Sequence, residues 1–234
     1  MLDSLRQQVY EANMSLHRMG LAPFTWGNAS GIDRDKGLVV IKPSGVPYDA
    51  LTPEKLVVVS LDGVVAEGDL RPSSDTPTHL ELYKAFPEIG GCVHTHSENA
   101  VAFAQAGLDL PAFGTTHADF AFGSVPCTRD LNRREVQHDY EKNTGLVIAQ
   151  TFRERQLDPM AVPAVLVRSH GPFTWGATPE KAAENAGVLE ICCRMAYMTM
   201  ALGREDPLPR YLLEKHYLRK HGKDAYYGQK GEGK

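Results

Sequence analysis

The sequence is poor in the features that mark secreted, membrane-spanning and nucleic-acid-binding chains. Its 234 residues include only four cysteines, Cys92, Cys127, Cys192 and Cys193. They have no regular spacing, and Cys192 and Cys193 are neighbours in a helical stretch, where adjacent side chains diverge by about 100°. A disulfide framework is therefore excluded, and reduced core thiols in a cytoplasmic protein are expected. No apolar run approaches the roughly 20 residues needed to cross a bilayer. The first residues, Met1-Leu2-Asp3-Ser4-Leu5-Arg6, lack the basic and then apolar blocks of a secretion signal. Positive charge is not in excess: 25 Lys and Arg face 29 Asp and Glu, a net charge of −4. With no basic run either, binding to a nucleic-acid backbone is excluded as the main activity.

What is present is an ordinary globular composition, with 42% apolar and 23% charged residues. The length suits one large domain or two small ones. Nine histidines are the distinctive count.

The pattern alternates strands and helices along the whole chain. Leu5, Val9, Ala12, Leu16 and Met19 recur at steps of three and four, which predicts a helix over residues 3–19 closed by Gly20. Strands are predicted at 37–42 and 56–60, and Asp62-Gly63 reads as a hairpin turn into 64–66. A helix over 76–86 ends at Pro87. A buried strand follows at 89–96, then a helix at 98–106 and further helices at 131–140 and 145–156. Another strand is expected at 164–170. The longest helix should run over 179–202, with Thr178 as N-cap, Pro179 in the first turn and Gly203 beyond the end. A shorter helix at 211–219 precedes a polar, glycine-containing tail. A single α/β domain with a mixed sheet covered by helices fits this order, and the hairpin argues against a purely parallel sheet.

Several clusters carry chemistry. His94 and His96 alternate along the predicted strand, so both imidazoles would face one side and could chelate one ion; two hydrogen-bonded strand-end histidines are the plainer alternative. His170, before Gly171-Pro172 at the end of a second strand, would complete the three nitrogens of an open catalytic zinc site. Manganese or cobalt suits the same ligands. Pro72-Ser73-Ser74-Asp75-Thr76-Pro77 places hydroxyls and a carboxylate before a helix, either as a plain cap or as an anion site. Lys42-Pro43-Ser44-Gly45 adds a cation, a hydroxyl and a glycine, and together the two segments suggest a phosphate pocket. Asp119, in a loop, is a candidate acid or base or simply a turn residue. Tyr226 and Tyr227 in a polar tail make sense if the tail folds over something, such as a neighbouring subunit.

The motifs occur together and in order. They are Phe24-Thr25-Trp26-Gly27-Asn28-Ala29-Ser30, Ile41-Lys42-Pro43-Ser44-Gly45-Val46, Pro72 to His79, Val93-His94-Thr95-His96-Ser97, Gly114-Thr115-Thr116-His117-Ala118-Asp119 and Ser169-His170-Gly171-Pro172-Phe173. The chain closes with Lys215 to Gly222 and Ala225-Tyr226-Tyr227-Gly228-Gln229. This set closely resembles the class II aldolase/epimerase family over nearly the whole chain. The resemblance implies one domain over residues 1–229 with a polar tail at 230–234. Its fold would be a three-layer α/β sandwich with a largely antiparallel central sheet.

The implied activity is metal-dependent epimerisation of L-ribulose 5-phosphate to D-xylulose 5-phosphate at C4, by retro-aldol cleavage and re-addition, as in arabinose catabolism. The alternative is an aldolase of the L-fuculose 1-phosphate type. The implied cofactor is Zn2+, with Mn2+ or Co2+ as substitutes. The implied assembly is a C4 homotetramer with active sites between subunits. Carried over by residue, the resemblance makes His94, His96 and His170 metal ligands, with Asp75 beside them. It places Asn28, Lys42, Ser44, Gly45, Ser73 and Ser74 on the phosphate. Asp119 and Tyr227 of an adjacent subunit match the acid/base pair, and Thr115, Glu141, His216 and Arg219 match supporting positions. Phe120 departs from the tyrosine expected there.

Overall fold

The computed structural model describes residues 2–227. The expected domain end at 229 and the polar tail at 230–234 lie outside those residues. Seven strands form one sheet in the order β4-β3-β2-β1-β5-β7-β6. In chain order they are β1 (Asn28–Asp33), β2 (Leu38–Ile41), β3 (Val57–Ser60), β4 (Val65–Glu67), β5 (Gly91–His94), β6 (Ala164–Leu166) and β7 (Pro172–Gly176). Every strand pair in that sheet is antiparallel. Among the described residues, parallel pairing is confined to an isolated bridge between Cys127 and Leu166. The largely antiparallel sheet is thus borne out.

The helices are α1 (Asp3–Arg18), α2 (Thr76–Ala85), α3 (Glu98–Ala106), α4 (Thr115–Ala118), α5 (Arg133–Gln137), α6 (Tyr140–Glu154), α7 (Pro179–Ala201) and α8 (Arg210–His221). Alternation along the strands explains the layers. Val40, Val58 and Val93 share one core with Val9 and Leu16 of α1 and Ala182, Ala183 and Ala186 of α7. Val39, Val57, Val59 and Cys92 face the other way, into a core with Tyr83 of α2, Ile148 and Phe152 of α6, and Trp175. Both faces of the sheet are therefore buried.

Local signals placed most elements well. Thr178 caps α7 by accepting from the Lys181 amide at 3.1 Å, and Pro179 opens the helix. Gly63, at φ 84°, makes the hairpin turn, and its amide donates to the Ser60 carbonyl. The four cysteines are free and buried. Other expectations are corrected. The strand at 89–96 stops at His94. The strand at 164–170 stops at Leu166, which leaves His170 in the turn before β7. The loop at Thr115–Ala118 is a single helical turn. The helix at 131–140 is short and breaks at Asp139, which adopts φ 55°, so α6 begins at Tyr140. Strands β1 and β7 lie where no strand was expected.

Two contacts position the end of the sheet that matters for function. Asn13 of α1 is buried, donates to the Ala29 carbonyl at 3.1 Å and accepts from the Ala29 amide at 2.9 Å. This holds the start of β1. Gly91, at the start of β5, lies against the first turn of α7: a Cβ there would meet the Pro179 nitrogen and the Thr178 oxygen at 2.5 Å each. Backbone atoms cannot swing aside as a side chain can. Gly91→Ala should therefore cost about 1–3 kcal/mol through overpacking, read as a lower midpoint in urea unfolding. An unchanged midpoint would show that α7 shifts freely against the sheet.

Candidate active site

One end of the sheet gathers the sequence motifs. β1 enters at Asn28 opposite His94, and His94 also faces Phe173 on β7. β2 leaves at Ile41, just before Lys42. A cavity of about 540 Å³ opens there, lined by Asn28, Lys42, Ser44, Gly45, Ser73, Ser74, Asp75, His94, His96, Glu141 and His170. Thr25, Trp26 and Tyr140 line it as well.

The three histidines converge although strand alternation alone does not bring them together. His96 lies beyond the end of β5, and His170 sits in a tight turn where Ser169 adopts φ 62°. In that turn the His170 amide donates to the Val167 carbonyl at 3.0 Å. One ring nitrogen from each imidazole lies within 4.8 Å of the others. His94 Nδ1 is 2.9 Å from the Pro172 carbonyl, to which it donates, so its Nε2 is the free nitrogen. Phe173 stacks on the His94 ring at 4.3 Å. Burial first, then the neighbouring imidazoles, push the His170 pKa down to about 4. Burial and His94 also lower His96. Neutral imidazoles with an open face are what a divalent cation requires of its ligands. Fixing one ring nitrogen by a hydrogen bond is how such ligands are held in register.

Asp75 completes this side. It occupies the N-cap position of α2, yet its side chain caps nothing. Instead its Oδ2 accepts from Asn28 Nδ2 at 2.6 Å. Burial would raise its pKa, but the field of His94 and His79 and the Asn28 hydrogen bond hold it below the usual carboxylate value. The hydroxyl of Ser73 accepts from the Asp75 amide at 3.2 Å, so the cap-like contact of this segment comes from Ser73 and not from the carboxylate. Asn28 Oδ1 is buried with no hydrogen-bond partner among the described residues, an acceptor left over beside the cavity.

The two anion-binding candidates meet because an antiparallel bridge pairs Pro43 with Pro72. The Ser44 amide donates to Arg71, and the Ser73 amide donates to Lys42. Gly45 adopts φ 68°, which suits glycine. Lys42 is 1% exposed. Its ammonium has the Pro43 carbonyl at 3.4 Å and sits 4.9 Å from the Tyr48 ring centre. It makes no ion pair with a carboxylate among the described residues, and burial lowers its pKa to about 8. Such a lysine suits a bound anion.

Asp119 and Tyr227 lie elsewhere. They line a second cavity of about 510 Å³ together with Phe120, Lys220 and His221. Asp119 accepts from Arg219 at 2.6 and 3.1 Å and pairs with His216 Nδ1 at 3.2 Å. The Arg219 guanidinium lies over the Tyr227 ring at 4.9 Å. The chain therefore turns back on its own α8: the Tyr226 and Tyr227 amides both donate to the Arg219 carbonyl. Phe120 is buried, edge-on to His117 at 6.3 Å. Thr115 is exposed and lines neither cavity.

Thus the structure unites the histidine and phosphate candidates with Asp75 and Glu141, and unites Asp119 with Tyr227, His216 and Arg219. Within one chain it does not bring these two groups into the same cavity. Tyr140 and the buried Ser30–His79–Tyr83 network escaped sequence reasoning. In that network Ser30 Oγ lies 2.7 Å from His79 Nδ1 and 2.8 Å from Tyr83 Oη. Their only sequence signal is position, since Tyr140 adjoins Glu141 and His79 follows the Ser73-Ser74-Asp75 motif.

The fold and this histidine site define a class. Residues 7–197 match the family described as Class II Aldolase and Adducin N-terminal domain, and the chain belongs to that family. Within it, the L-ribulose-5-phosphate 4-epimerase UlaF of Salmonella paratyphi B is 54% identical over 230 residues, covering 98% of this chain and all of that enzyme. UlaF of Salmonella typhi is equally similar, at 54% identity over 230 residues. An L-fuculose 1-phosphate aldolase structure superposes with a TM-score of 0.77 at 24% identity, covering 91% of this chain and 94% of that one. The L-fuculose-1-phosphate aldolase of Thermus thermophilus gives 0.65 at 27% identity, with 87% and 98% covered.

The Asp119 cluster yields a direct prediction. Burial would raise its carboxyl pKa, but the hydrogen bonds from Arg219 and then His216 override this and hold it low. Arg219→Ala should therefore move the Asp119 titration to higher pH, as read from carboxyl NMR shifts. A titration at the wild-type position would show that Arg219 does not set it.

Proposed function

We propose that this chain is a metal-dependent epimerase that interconverts L-ribulose 5-phosphate and D-xylulose 5-phosphate by retro-aldol cleavage and re-addition at C4. The observation that carries the reading is one cavity holding a converging three-histidine cluster beside a buried lysine with no carboxylate partner among the described residues. The 54% identity to UlaF supports the choice of substrate. In the proposal His94, His96 and His170 hold Zn2+, with Mn2+ or Co2+ as substitutes, and Asp75 lies beside it.

The chemistry explains the layout. The C4 proton lies beta to the C2 ketone and is not acidified, so inversion proceeds by breaking and remaking the C3–C4 bond. A divalent cation in the site supplies Lewis-acid stabilisation of negative charge on the substrate oxygens. Lys42, Ser44, Gly45, Ser73, Ser74 and Asn28 grip the phosphate while the aldehyde fragment turns to present its other face. If that grip failed, the fragment would leave and the enzyme would act as an aldolase of the L-fuculose 1-phosphate type. The C4 hydroxyl points opposite ways in the two sugars, so one proton carrier per face is needed. Asp119 and Tyr227 take these roles, with Thr115, Glu141, His216 and Arg219 in support.

Because Asp119 and Tyr227 line a different cavity from the histidines, the reading places them in the site of a neighbouring subunit, within a C4 homotetramer. No helix among the described residues is long and apolar enough to cross a membrane. Four free, buried thiols support a cytoplasmic setting.

The test couples metal analysis to product analysis. Zinc-loaded protein should convert L-ribulose 5-phosphate to D-xylulose 5-phosphate without releasing glycolaldehyde phosphate, and steady release of the aldehyde would instead identify an aldolase. His94→Ala should lose metal and turnover together, whereas Asp119→Asn should keep metal and lose turnover. Mixed assemblies of these two inactive subunits should regain activity, and failure to do so would rule out sites shared between subunits.

The lysine sets a pH dependence. Its charged form holds the phosphate and prevails below its pKa of about 8. As pH rises through 8 the charge is lost, so kcat/KM, which reports the free enzyme, should fall there. The Lys42→Met variant should be uniformly weak and lack that step. A wild-type profile that stays flat to pH 10 would remove Lys42 from the phosphate site.

A further inference from the structure

Tyr140 lines the cavity yet belongs to none of the sequence motifs. It opens α6 directly after Asp139, whose left-handed backbone (φ 55°) redirects the chain into the cavity wall. Three contacts fix this corner. Thr144 Oγ1 donates to the Tyr140 carbonyl at 2.9 Å. Thr78 Oγ1, in the first turn of α2, donates to the Glu141 carbonyl at 2.6 Å. Further along α6, Gly145 lies so close to α2 that a Cβ there would meet Glu81 Cβ at 2.6 Å. The helix that carries Tyr140 is thus tied to the helix that follows Asp75.

From this corner Tyr140 Oη reaches His170 Nδ1 at 3.2 Å. The two rings tilt 31° at 6.0 Å between centres. The contact matters because His170, unlike His94, sits in a turn rather than on a strand. His94 has the Pro172 carbonyl to fix its ring, an acceptor that can only receive a proton. A phenol oxygen can receive or give one. The Tyr140 oxygen can accept from Nδ1 while its own proton points elsewhere.

We infer that Tyr140 is a positioning residue for His170, accepting its Nδ1 proton and so leaving Nε2 free for the cation. The inference rests on the metal-site reading above. An imidazole without such a partner divides between two tautomers and rotates. One with it presents a single nitrogen, and loss of an outer partner of this kind typically weakens metal binding by 10–100-fold. Tyr140 would then do for the turn-borne ligand what the Pro172 carbonyl does for the strand-borne one.

The test is Zn2+ affinity of metal-free Tyr140→Phe, measured by competition with a chromophoric chelator. The phenyl ring keeps its packing, so the metal-free variant should unfold at the wild-type midpoint while its zinc Kd rises by about 10–100-fold. With saturating zinc its KM for the sugar phosphate should match wild type. With Co2+ in place of zinc, the visible absorption band should shift or broaden relative to wild type. A wild-type zinc Kd in Tyr140→Phe would overturn the role. So would a weaker Kd accompanied by a lower midpoint of the metal-free variant, which would assign Tyr140 to packing. Wild-type protein that binds neither Zn2+ nor Co2+ would overturn the metal site itself, and this role with it.

Discussion

Three imidazoles that bring one ring nitrogen each within 4.8 Å of the others cannot all be charged, and the arrangement of this protein follows from that constraint. Two protonated rings at such a distance would repel each other, and burial would add to the cost of each charge. The structure meets the constraint first through position. His94 is buried at the end of a central strand with its Nδ1 committed to a carbonyl, and His170 is held down to a pKa of about 4 by burial and by its neighbours. The carboxylate nearby, Asp75, is turned to Asn28 instead of capping its own helix. A helix cap there is sacrificed, typically about 1 kcal/mol, to keep an acidic group beside the cluster.

The same logic separates the two cavities. A carboxylate that faced the histidine cluster would be drawn in as a further partner of those rings. Asp119 is instead embraced by Arg219 and His216 in a separate cavity, with Tyr227 stacked against the same guanidinium. Arg219 thus sets the spacing of two groups that the sequence separates by more than a hundred residues. Because α8 and the segment after it fold onto Asp119, this second group is assembled entirely within one chain. Each chain thus carries two separate preformed groups, one around the histidines and one around Asp119.

How far the sequence discloses this depends on whether a feature is written locally. The longest helix was legible because Thr178, Pro179 and Gly203 punctuate it, and the β3–β4 hairpin because Asp62-Gly63 has one ready conformation. β1 was not legible. Asn28-Ala29-Ser30-Gly31-Ile32-Asp33 has little strand propensity, and Gly31 is needed where Pro179 and Leu5 press against the backbone. It becomes a strand because β2 and β5 supply partners on both sides, a tertiary effect that overrides propensity. His96 and His170 were recognisable as chemistry but misplaced as strand residues, since a metal-type cluster advertises its residue types and not its backbone. Tyr140 was invisible for a different reason. Its partner lies 30 residues away, and the left-handed Asp139 that aims it has no signature in an otherwise helical pattern.

The charge balance can now be argued locally. A net charge of −4 gives no general attraction for a sugar phosphate, so the anion must find its binding energy within the cavity. Lys42 lies in that cavity under conditions in which a lysine is most responsive to an anion. Its ammonium is buried, has only a long contact to one carbonyl, and has a tyrosine ring for company. An arriving phosphate would restore a full ionic partner to a charge that burial has penalised, so the gain on binding exceeds that at an exposed lysine. The carboxylate in the same cavity does not cancel this gain, because Asp75 is already committed to Asn28 and lies in the field of the histidines. The cavity is therefore polarised, with an end suited to a cation at the sheet terminus and an end suited to an anion at the Pro43–Pro72 bridge. A ligand with phosphate at one end and adjacent carbonyl and hydroxyl oxygens at the other matches that polarity in one orientation only.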